Sequence, residues 1–138
     1  MELNYESKFT LNFFLNETCK NAISIREFID SINIELSDLI TIKNIDHTTK
    51  ISNIIIKKLK SLDVTQRTIH CTDKKRETIY IKNNNEWVKD NNSHDKLIFV
   101  IDEIANKYFM MIPESIEDPN NFYDVETLKT NVIHLVTL

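Results

Sequence analysis

Not one of the 138 residues is glycine, where a chain of this length ordinarily holds about ten. Every tight turn must therefore be made by Asn, Asp or Pro. Two classes of phosphate site are excluded with it. The Walker loop and the dinucleotide fingerprint both need glycine where backbone approaches phosphate. What remains is the composition of one ordinary folded domain, 41% hydrophobic and 28% charged, able to bury a core without disulfides. The net charge of −4 excludes a whole-surface attraction to nucleic acid but not a local basic patch.

Cys19 and Cys71 stand too far apart for a CxxC pair, and two thiols make no disulfide framework. The N-terminus MELNYESKFTLNFFL has no apolar run of signal length, and no stretch reaches the ~18 apolar residues of a membrane span. These features point to an intracellular protein in a reducing compartment, with no membrane partner.

Hydrophobic spacing gives the element order. KFTLNFFL, 8–15, alternates as a strand does. SIRE, 24–27, reads as a capping box, and Ile25, Phe28, Ile29 and Ile32 follow helical spacing. Leu36, Leu39 and Ile40 continue the helix or follow a kink. Asp46 or Thr48 is placed to cap a helix over 49–61, striped with Ile51, Ile54, Ile55, Leu59 and Leu62. RTIHCT, ETIYIK and EWVKD read as three strands joined at DKKR and NNN. Ser93 is the expected cap of a helix buried through Leu97, Ile98, Ile101, Ile104, Ala105 and Tyr108. Pro113 and Pro119 bracket a connector. YDVETLKTNVIHLVTL then forms a helix with Val125, Leu128, Val132, Leu135 and Val136 on one face. The expected fold is a single α+β domain over 1–138. Helices pack around a three-stranded antiparallel meander, in a winged-helix-like manner, with a core over about 8–110 and a C-terminal connector and helix over 111–138.

Three blocks carry a family resemblance: FFLNETCKNAISIREFIDSI, ISNIIIKKL and, most specifically, LDVTQRTIHCTDKKRETIYIKNNNEWVKD. Over about 8–108 the chain resembles an uncharacterised domain of mimivirus-like giant-virus proteins. That domain often follows an N-terminal zinc finger. The family usually has Pro where Thr68 stands, and the zinc finger has no counterpart here, as in a short member or an excised piece. The resemblance implies a viral protein of the host cytoplasm or virus factory, linked by analogy to nucleic-acid processes. It implies no activity.

The residues leave several chemistries to weigh. No Cys or His pair has zinc-ligand spacing. Neither a metal nor another cofactor is expected. Cys71 sits beside His70 and near Lys74, Lys75 and Arg76, but strand alternation turns Cys71 inward with its isoleucine neighbours and His70 outward. No catalytic residue is therefore assigned. The candidate nucleic-acid contacts are Arg67, His70, Lys74, Lys75, Arg76 and Tyr80, with the cations at a hairpin tip and Arg67 near it. Lys57, Lys58 and Lys60 either suit a helix C-terminus or line a basic groove. The expected function is a non-enzymatic viral interaction module contacting DNA or RNA through the basic hairpin. Two alternatives stay open. One is a metal-dependent nuclease or phosphodiesterase built on Asp63, Asp73 and Glu77. The other is a homo-oligomerisation domain or a binder of a viral protein partner, using the last helix or the strand at 8–15.

Overall fold

The computed structural model describes residues 10–39, 46–112 and 123–138. Among these residues, five α-helices and one sheet follow an N-terminal segment: α1 (Ile25–Ser31), α2 (Leu36–Leu39), α3 (His47–Ser61), β1 (Ile69–Asp73), β2 (Thr78–Asn83), β3 (Glu86–Lys89), α4 (Asp95–Met110) and α5 (Val125–Val136). The fold is α+β. The expected connector with Pro113 and Pro119, and Ile40 after α2, lie outside the described residues.

Local chemistry accounts for most boundaries. Ser24 Oγ accepts the Glu27 amide at 3.2 Å and caps α1. The Glu27 carboxylate accepts from the Ser24 hydroxyl at the same distance. Asp46 accepts the Thr49 amide at 2.8 Å and caps α3. Asp124 caps α5 through the amides of Glu126 and Thr127. The cap of α4 is a correction. Ser93 is exposed, and the neighbouring Asp90 does the work. Its carboxylate accepts from the amides of Asn91, Lys96 and Leu97 at 2.9–3.1 Å. A carboxylate at the positive end of the helix dipole, holding three amides, outcompetes a serine hydroxyl.

The absence of glycine shows in the backbone. Glu77, Asn84 and His94 all take positive φ, between 53° and 58°. Asn84 is a residue type suited to that region. Glu77 and His94 correct the expectation that only Asn, Asp or Pro would serve such positions: Glu77 closes the β1–β2 turn there, and its carbonyl is held by His94 Nε2 at 2.8 Å.

The sheet is antiparallel in the order β1-β2-β3. Cys71 pairs with Ile79 and Ile69 with Ile81, while His70 pairs with Tyr80 on the other face. Ile69, Cys71, Ile79 and Ile81 enter the main core with Phe28, Ile55, Leu59, Leu97, Ile101 and Tyr108. Helix α5 joins the same core through Leu128, Val132, Ile133 and Val136. The chain end is tied to β1 by the Leu138 amide on the Cys71 carbonyl at 2.9 Å.

The N-terminal segment departs from the sequence expectation. Residues 10–13 are helical and Phe14–Thr18 form a π-helical turn; there is no strand over 10–15, and residues 8 and 9 lie outside the described residues. Leu11, Leu15 and Cys19 recur every four positions, so a helix puts them on one side. Leu15 and Cys19 are buried, whereas Phe13 is 57% exposed. The alternation of Phe9, Leu11 and Phe13 gave way to this longer period.

Candidate nucleic-acid interface

The outer face of the sheet, opposite the core, carries His70, Tyr80, Lys82, Trp87 and Lys89. Tyr80 lies between His70 on β1 and Lys89 on β3, and Lys82 faces Trp87. The two halves of this face have different surroundings.

The half nearest the β2–β3 turn is covered by the N-terminal segment. Phe14 meets the His70 ring edge-on at 5.3 Å, and the Trp87 ring lies 5.5 Å from it. Cys19 Sγ sits 3.8 Å from His70 Nε2. His70 is 1% exposed. Its expected outward direction is right as to the face, but that face is roofed over. Burial, reinforced by the Arg67 charge and opposed by a backbone hydrogen bond with Val64, lowers its pKa to about 4. Burial likewise raises the Cys19 thiol, against the pull of Lys82. A neutral imidazole beside a protonated thiol is no activated nucleophile. Lys82, 5% exposed, donates to the Lys20 carbonyl at 2.8 Å and stands 5.7 Å over the Trp87 ring.

This covering is imperfectly satisfied. Trp87 Nε1 is buried without a hydrogen-bond partner. So is the hydroxyl of Thr68, two positions before His70. A buried polar group left unpaired costs about 1–3 kcal/mol.

The other half of the face, toward the β1–β2 turn, stands open. Tyr80, Thr72 and Thr78 are half-buried and Lys89 is exposed. Beyond them Lys74, Lys75 and Arg76 occupy the turn, all exposed. Asp73 organises this turn by accepting the Arg76 amide at 3.2 Å, with the Arg76 guanidinium 4.0 Å from its other oxygen. Among the described residues neither Lys74 nor Lys75 joins an ion pair. Arg67 is placed elsewhere. It precedes β1 at the opposite end of the hairpin, roughly 20 Å from the tip at the rise of a strand, with its Nε on the Leu59 carbonyl at 3.0 Å. The structure thus joins Tyr80 to the tip cations and separates Arg67 and His70 from them. Lys89 belongs to the set and escaped the sequence reading. Its pairing opposite Tyr80 was available once the two strands were aligned.

The other candidate chemistries are dispersed. Asp63 is spent on capping a short turn through Thr65, whose hydrogen bonds hold its carboxyl below the usual range. Asp73 serves its own turn, and Glu77 lies beyond it. No group of three His, Cys, Asp or Glu side chains able to hold a metal occurs among the described residues. Cys71 is fully buried in the core. A groove of about 180 Å³ lies between α1, α2 and the end of α3, lined by Ser31, Asn33, Asp38, Lys57 and Lys58 among others. Lys57 stands 4.0 Å from Asp38 across it. No described helix is long and apolar enough to cross a membrane.

No family model, no curated protein and no solved structure matches this chain.

Proposed function

We propose that the chain is a non-enzymatic interaction module that contacts nucleic acid through the β1–β2 hairpin. The observation that carries this reading is the run Lys74, Lys75 and Arg76, exposed at the tip directly beyond the half-exposed Tyr80. Cations held on a rigid turn attract phosphate, and an aromatic ring beside them offers a base a stacking surface. Tyr80 and Lys89 complete the contact set, while His70 supports the hairpin from beneath the N-terminal segment. On its sequence resemblance the module belongs to a giant-virus protein, working in the host cytoplasm or virus factory.

Fluorescence anisotropy with DNA and RNA oligonucleotides over a salt series tests the reading. Replacing Lys74, Lys75 and Arg76 together by Glu should weaken binding and reduce the salt slope by about 2 to 3. Absence of binding by the native protein at low salt would sink it.

A further inference from the structure

We infer that the nucleic acid taken by this module is single-stranded, and that the N-terminal segment, residues 10–20, is a displaceable cover over the second half of its binding face. The inference deepens the hairpin reading and rests on it. The open half of the sheet face offers one ring, Tyr80, beside Lys89 and the tip cations. The covered half continues the same surface with His70, Trp87 and Lys82. Aromatic rings interleaved with cations suit a strand whose bases are free to stack and whose phosphates track the charges. A duplex keeps its bases stacked on each other and would meet only the tip.

Three features make the cover separable. Leu15 and Cys19 are buried, yet neither belongs to the main core cluster, so the cover is a satellite over the sheet. The surface beneath holds Trp87 Nε1, unpartnered among the described residues, and the buried Lys82 ammonium, whose partners among them are one carbonyl and one ring. Those groups gain partners when a nucleotide replaces the cover. The segment also contains the π-helical turn Phe14–Thr18, a conformation met chiefly as a local irregularity near functional sites.

Cys19 reports the cover and Cys71 the core, both inaccessible in the closed protein. The experiment follows the modification of each thiol in the native protein by a thiol reagent, read by peptide mass spectrometry. It is run alone, with saturating oligothymidylate, and with a duplex of equal length. Oligothymidylate should accelerate labelling of Cys19 about tenfold and leave Cys71 unchanged, while the duplex leaves both unchanged. It should also quench Trp87, the single tryptophan of the chain. Leu15→Ala, which loosens the cover and changes no residue of the binding face, should tighten oligothymidylate binding several-fold and leave duplex binding alone. Bound oligothymidylate with unchanged or slowed Cys19 labelling overturns the inference, as does equal acceleration by the duplex. If binding in those cases still falls on charge reversal at the tip, the hairpin reading survives. If the native protein binds neither oligonucleotide, both fall together.

Discussion

Asp90 and His70 are the two buried polar residues whose environments most clearly determine what substitution would do. Asp90 is 5% exposed and holds the first turn of α4 from outside the helix. Asp90→Ala strands those amides and should cost about 2–3 kcal/mol in urea unfolding. Ser93→Ala should stay within about 0.5 kcal/mol; a larger loss at Ser93 would return the cap to the serine. His70 makes stability depend on pH. Its folded pKa, about 4, lies below the ordinary 6.5, so between these values the unfolded chain binds a proton that the folded one refuses. The contribution is complete above pH 6.5 and is lost as the pH falls toward 4, about 3 kcal/mol in all. His70→Phe should remove this slope, leaving the carboxylate losses at lower pH that both proteins share. Parallel curves for the two proteins from pH 6.5 to 4 would show that His70 is not the group. Alternation in the sequence assigned Cys71 and His70 to opposite faces. It carried no information on what covers the outer face, because the covering residue Cys19 is 51 positions away.

At the scale of elements, periods of 3.6 residues over long segments were readable. Helices α3, α4 and α5 fall where their apolar stripes place them, though the cap of α4 is Asp90 and not Ser93, and α5 spends its stripe on the domain's own core. That leaves little of its face for a second copy of the chain. Leu128, fully buried, should cost about 3 kcal/mol as Ala, whereas Leu135, only partly buried, should cost about 1 kcal/mol or less. Removal of 123–138 should abolish cooperative unfolding monitored by circular dichroism. A folded, smaller assembly after that truncation would restore the oligomerisation reading. The short N-terminal segment was misread because period 2 and period 3.6 fit eight residues almost equally well. The tie is broken by the burial of Leu15 and Cys19 and by Cys19 against His70, a tertiary contribution absent from the local pattern. The three strands were legible through their Asn- and Asp-containing turns. The interface was legible only in part, since sequence proximity joined Arg67 to a tip that lies at the far end of the strand.

The molecule as a whole divides into a core and a cover of unequal stability. The core is one continuous apolar cluster running from α1 through the sheet's inner face to α5. The cover is fastened by Leu15 and Cys19, by Phe14 against His70, and by the Lys82 hydrogen bond to the Lys20 carbonyl. Unpaired polar groups beneath it offset part of what this packing contributes. Local opening is governed by such differences, and segments with few apolar contacts open first. Native-state hydrogen exchange should therefore show residues 14–20 exchanging through an opening several kcal/mol easier than the global one. Amides of β2 and α4 should exchange only through global unfolding. Leu15→Ala should lower protection in the N-terminal segment and leave β2 protection nearly unchanged, because Leu15 lies outside the main core cluster. Equal loss in both would show that cover and core open as one unit. In that case the sheet's outer face presents only Tyr80, Lys89 and the tip to any partner.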